Sequence, residues 1–151
     1  MQLKSLEDTK NFSNKISRII NEGDIIFLYG EIGVGKTTFV RFFINHLENK
    51  NKIKNSIVPS PTFNIAYDYD IGKLKILHYD LYRLTNYDDV FQLGIFETSK
   101  KYIKIIEWPE LIKSKPKNRI DILLEHSELS NSRKVKISGF GKWKDYKFNE
   151  I

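Results

Sequence analysis

The chain has 151 residues, 40% hydrophobic and 29% charged, with a net charge of +6 and no cysteine. This is the composition expected of one ordinary soluble domain with room for a core, and it excludes a disulfide framework and a thiolate metal site. No apolar run approaches the roughly 18 residues of a membrane helix, and "MQLKSLEDTK" lacks the basic and apolar regions of a secretory signal, so no membrane association and a cytoplasmic location are expected. The positive charge attracts polyanions, nucleic acid among them. Lysine-rich solvated faces produce the same excess without any binding patch.

In chain order, "LEDTKNFSNKISRIIN" carries Leu6, Phe12, Ile16, Ile19 and Ile20 at near-helical spacing, with Ser5 or Asp8 as a cap and Gly23 as the stop. "DIIFLYG" is a short continuous apolar run, the mark of a strand buried on both faces. "KTTFVRFFINHLENK" reads as a helix with Phe39, Phe42, Phe43 and Leu47 on one face. "NIAYDYDIGKLKILHYDLYRL" reads as two strands turned at Gly72, antiparallel because the connection is so short. "DDVFQLGIF" suits a short helix ended by Gly94, and "YIKIIEW" a strand stopped by Pro109. "RIDILLEH" and "RKVKISGF" pair around the polar turn "SELSNS". The expected fold is α/β: a mixed sheet with a parallel core and antiparallel hairpin additions, helices on both faces. One domain covers residues 1–151, with a flexible tail from about residue 140.

Between the first buried strand and the second helix stands "YGEIGVGKTTF", in which Gly30, Gly35, Lys36 and Thr37 satisfy G-x-x-x-x-G-K-[ST]. Glycines permit backbone angles that let successive N–H groups of Ile32, Gly33, Val34, Gly35, Lys36, Thr37 and Thr38 turn inward around a phosphate. The helix that follows adds its positive end. Lys36 reaches outer phosphates and the Thr37 hydroxyl suits a magnesium ion. The strand–loop–helix context makes a chance match improbable.

A nucleotide-bound metal also needs a carboxylate at a neighbouring strand end. Asp80 and Glu107 each follow an apolar run, and either could be a metal ligand or a general base acting on water. "SPTF", Ser60, Pro61, Thr62 and Phe63, occupies the position of a switch segment, although Ser-Pro-Thr is also an ordinary turn. His78 reads as a hydrogen-bonded structural residue, and Trp108 as core packing or a nucleotide or partner contact. No N-K-x-D is present, so ATP is favoured over GTP. No arginine-rich lid follows, which weakens a small-metabolite kinase, with Arg83, Arg119 and Arg133 left as scattered candidates. Arg83 reads as a structural ion-pair partner. A third alternative is a nucleotide-dependent interaction module that does not hydrolyse.

"GEIGVGKTTF", "SPTF", "HYDLYRL" and "IEWPE", in this order and at these spacings, resemble the TsaE (YjeE) family of bacterial ATPases, and the resemblance runs from about Ser5 to about Arg133. It implies a P-loop fold that binds ATP with Mg²⁺, hydrolyses it slowly alone, and works with TsaB and TsaD in forming threonylcarbamoyladenosine beside the tRNA anticodon. tRNA itself would be met indirectly or weakly. By the same resemblance Thr37 and Glu107 contact magnesium, Asp80 is a second functional acid, and Thr9, Trp108 and Arg133 join the nucleotide contacts, with Thr9 in "SLEDT" framing the base. "GIFETSKKY" and "GKWKDYKFNEI" depart from the family pattern, away from the phosphate chemistry.

Overall fold

The computed structural model describes residues 1–128 and 132–148. Seven strands, β1 (Gln2–Leu3), β2 (Ile25–Tyr29), β3 (Ala66–Ile71), β4 (Leu74–Asp80), β5 (Ile103–Glu107), β6 (Arg119–His126) and β7 (Arg133–Phe140), form one sheet ordered β1-β7-β6-β2-β5-β4-β3. Pairs β4–β5, β5–β2 and β2–β6 are parallel, while β3–β4, β6–β7 and β1–β7 are antiparallel. This is the expected parallel core with antiparallel additions. β1 is only two residues long and carries no periodic signal; it is held by the ladder along β7.

Helix α1 (Leu6–Ile19) starts where Ser5 caps it, its hydroxyl accepting from Asp8 N. It stops earlier than the sequence suggested: Ile20 is already extended, and Gly23 belongs to the turn before β2. Helix α2 (Lys36–Lys50) buries Phe39, Val40, Phe43, Ile44 and Leu47. Phe42 is half-buried, because the stripe facing the sheet continues through Val40 and Ile44. α1 and α2 share one face of the sheet, where Phe12 and Phe39 meet at 5.4 Å between ring centroids and Ser13 Oγ donates to Phe39 O. The short α3 (Tyr87–Gln92), capped by Asn86, lies over the opposite face with Leu81, Val90, Ile95 and Ile112.

The alternation of side chains along β4 and β5 decides what reaches the sheet edge beneath the glycine loop. Ile76, His78 and Asp80 project to the α2 side, as do Ile103, Ile105 and Glu107, while Leu77, Tyr79 and Ile106 pack on the other. The register sets Asp80 beside Glu107 and Glu107 beside Leu28, so three parallel strands end together just below the glycine loop.

The segment from about residue 140, expected to be a flexible tail, is packed through Phe148. A single 3₁₀ turn (Gly141–Trp143) follows β7, Trp143 and Phe148 are buried in the main core, and Lys142 Nζ pairs with buried Asp24. Residues 149–151, and part of the "SELSNS" turn, lie outside the described residues.

Candidate functional site

The loop leaving β2 is shaped by its glycines. Gly30 has φ +132°, and a Cβ there would collide with the Leu124 carbonyl, so the chain passes against β6 only because no side chain is present. Gly33 and Gly35 also hold positive φ, but a Cβ at either would meet open space. These two line an open concavity. Gly35 stands at the N-cap of α2 without a side-chain cap, so no side chain competes for the first-turn amides.

Lys36 is 5% exposed, and its ammonium donates to Gly30 O at 2.6 Å and Glu31 O at 2.9 Å. The Trp108 ring covers it at 4.0 Å from the centroid. Burial pushes the Lys36 ammonium below its ordinary value, against the opposing pull of Glu107, Asp80 and Glu110. Thr37, one residue on, donates its hydroxyl to the Glu107 carboxylate, 2.9 Å from Oε1 and 3.2 Å from Oε2. His78, fully buried, meets Glu107 Oε1 at 2.8 Å through Nε2.

Asp80 is engaged differently. Its Oδ1 accepts from Tyr82 N at 3.0 Å, and its Oδ2 from Thr62 Oγ1 at 2.6 Å and Ser60 Oγ at 3.1 Å. One carboxylate thus holds the "SPTF" segment and the other holds the threonine of the glycine loop. Trp108 lies in the left-handed region (φ 57°), which brings its ring back over Lys36 and to 4.9 Å from the Tyr82 ring.

A cavity of about 230 Å³ results. Ile32, Gly33, Gly35, Lys36, Thr37 and Thr38 line it from the loop side; Ser60, Thr62, Asp80, Glu107 and Trp108 line it from the strand ends, with Tyr82 as a wall the sequence reading missed. Tyr82 sits in "DLYRL" two residues past Asp80, and only the turn after β4 returns it to the site.

Other expected residues sit elsewhere. Val34 is buried against the core, and Arg133 Nε donates to its carbonyl at 2.9 Å, bracing the loop from behind. Thr9 is in the first turn of α1, donating to Ser5 O, and is not part of the cavity wall. Pro61 is buried. Phe63 is 82% exposed with the Arg83 guanidinium over its ring at 5.1 Å. Among the described residues Arg83 therefore contacts a ring rather than the carboxylate expected of it.

The donor set suits a small hard cation and phosphate oxygens together. One hydroxyl and one or two carboxylates face open space, with no cluster of three His, Cys, Asp or Glu among the described residues able to cage a metal alone. Magnesium fits such a site, taking few protein ligands and completing its shell with phosphate oxygens and water. A larger cavity of about 390 Å³, between α3 and residues 112–116, is mostly apolar and contains neither the glycine loop nor the paired acids.

Three comparisons bear on this geometry. The family model described as threonylcarbamoyl adenosine biosynthesis protein TsaE matches residues 3–135. The tRNA threonylcarbamoyladenosine biosynthesis protein TsaE of Aquifex aeolicus is 38% identical over 136 residues, covering 89% of this chain and 92% of its own. The protein of that name from Rickettsia prowazekii is 38% identical over 111 residues, 74% of each chain, and that from Bacillus subtilis is 32% identical over 123 residues, 80% of this chain and 73% of its own. The crystal structure of YdiB from Bacillus subtilis superposes with a TM-score of 0.74 at 26% identity, covering 99% of this chain and 90% of that one. With the glycine loop, the strand-end acids and the sheet order in agreement with a P-loop fold, the chain belongs to the TsaE family of threonylcarbamoyladenosine biosynthesis proteins.

Proposed function

We propose that the chain is a Mg²⁺-dependent ATPase that binds ATP on Ile32–Thr38 and acts as a nucleotide-driven switch on a TsaB–TsaD complex during tRNA threonylcarbamoyladenosine formation. The observation that carries the reading is the Thr37–Glu107 hydrogen bond at the mouth of the glycine loop, beside a buried Lys36. It brings a hydroxyl and a carboxylate from distant chain segments to the one place where a phosphate-bound cation needs both.

The two acids divide the work. Glu107 shares Thr37 and is the metal-side carboxylate, while Asp80 is already committed to Ser60, Thr62 and Tyr82 N and is the latch on the switch segment. Magnesium, when bound, neutralises charge on the outer phosphates. Lys36, poorly solvated beneath Trp108, offers a cation whose attraction to phosphate is little screened. Glu107 also orients water for attack. Thr62 and Ser60 report the state of the site, because a movement of residues 60–63 carries both hydroxyls away from Asp80. Arg133 holds the loop's shape through Val34 O and does not reach into the cavity.

Among the described residues no arginine lines the cavity, which supports slow turnover alone and leaves room for a group supplied by a partner, a contribution worth about 10³–10⁵ in rate in P-loop systems. Among the described residues no helix is long and apolar enough to cross a membrane. Calorimetric titration of ATP with Mg²⁺ tests the reading. Wild type should bind, Lys36→Ala should weaken binding at least about 10-fold, and Glu107→Ala should abolish hydrolysis and most of the Mg²⁺ effect. Wild type that binds no nucleotide would refute it, and a phosphorylated metabolite as product would indicate a kinase instead.

A further inference from the structure

His78 touches Glu107 without lining the cavity, and its environment is unusual. It is fully buried on β4, flanked on the same face by the apolar core residues Ile76 and Ile105, its register partner, with Asp80 next along the strand toward the cavity. Burying an imidazole there costs free energy that an aliphatic side chain would not. Its Nδ1 has no hydrogen-bond partner among the described residues, so the ring's only polar link is Nε2 to Glu107 Oε1 at 2.8 Å. A carboxylate accepts, so Nε2 carries the hydrogen of this bond. A ring kept at this cost and tied at one atom alone is explained by what that atom does.

Glu107 ends β5 at the wall of the cavity. The Thr37 hydroxyl has one hydrogen and lies near both carboxylate oxygens, so it cannot fix the group by itself. The His78 N–H adds a second direction from the rigid interior of the sheet, taking up Oε1 from behind. The geometry points to His78 as a positioning residue: it pins Oε1 of Glu107 so that Oε2 and the Thr37 hydroxyl meet the metal-bearing phosphates in one orientation. This rests on the nucleotide reading above. Hydrogen-bonding partners of metal-side carboxylates typically account for 10- to 100-fold in metal affinity or activity.

Two substitutions separate the role from mere space filling. The amide nitrogen of His78→Gln falls near the place of Nε2, and that of His78→Asn near the place of Nδ1, where there is no acceptor. Nucleotide affinity is measured by calorimetry on the whole chain, first in EDTA and then with Mg²⁺, alongside thermal melting of the nucleotide-free protein. His78→Gln should keep most of the Mg²⁺-induced gain in affinity. His78→Asn should lose about 10-fold or more of that gain, with its EDTA affinity unchanged. Equal Mg²⁺ gains in wild type, His78→Gln and His78→Asn would overturn the positioning role while leaving the nucleotide reading intact. Equal losses in both variants would also overturn it, assigning His78 to packing. Absence of nucleotide binding by wild type would instead remove the reading on which the role rests.

Discussion

At the scale of single residues, the site is built from hydrogen bonds between groups far apart in sequence. Thr62 and Asp80 are 18 positions apart, Thr37 and Glu107 are 70. If the Thr62 hydroxyl latches residues 60–63 onto Asp80, Thr62→Val should loosen that segment in the nucleotide-free protein. Loss of one such bond is worth about 1 kcal/mol, so amide exchange across residues 60–65 should quicken roughly 5-fold. Unchanged exchange would show that Pro61, through the Ile65 N to Pro61 O bond, holds the segment without the latch. The glycines give a sharper contrast. Gly30→Ala meets both its positive φ and the Leu124 carbonyl, and should cost about 3 kcal/mol or more in denaturant unfolding. Gly33→Ala has open space and bears only backbone strain of about 1 kcal/mol. Equal costs would mean that the close approach of the loop to β6 is not rigid.

Elements were legible in the sequence to different degrees, for physical reasons. The central strands announce themselves because both faces are buried, so "IIFLY" is a continuous apolar run and "IKII" one broken only by Lys104. α2 begins at the lysine of the glycine loop because the loop itself ends there. The phase of its buried stripe was harder, since "FVRFF" offers more apolar residues than one face can use. Phe43→Ala should therefore cost about 3–5 kcal/mol and Phe42→Ala clearly less, a difference readable in urea midpoints. β1 was invisible because two residues have no period. Of the site, the glycine loop and both acids could be read from motif and strand position. Tyr82 as a wall, Arg133 as a brace and the split of labour between Asp80 and Glu107 could not, because the first depends on the turn after β4 and the others on which distant segments the sheet brings together, not on local sequence.

Strand β5 also carries a buried lysine. Lys104 is 3% exposed, donates to Ser99 O, and burial lowers its pKa from the ordinary 10.5. A depressed lysine pKa means that, in the alkaline range below 10.5, this group holds more protons in the unfolded chain than in the folded one, so its contribution to stability rises with pH there. Lys104→Met should flatten that rise and be neutral or stabilising at pH 7, checked by urea unfolding across pH. An identical slope in the variant would assign the pH dependence to another group.

At the scale of the whole molecule, the sheet brings three parallel strand ends under one loop, and everything chemical gathers at that edge. Its lysine is tied to backbone carbonyls and residues 60 and 62 are held on Asp80, an arrangement that supports the proposed slow turnover in the absence of a partner. The central claim is that nucleotide hydrolysis here serves a TsaB–TsaD complex. Its most direct test is the rate of ATP hydrolysis by wild type, Lys36→Ala and Glu107→Ala, each with and without purified TsaB and TsaD. The account predicts slow hydrolysis by wild type alone, acceleration of about 10-fold or more by the partners, and no acceleration in either variant. A wild-type rate that the partners leave unchanged would contradict it.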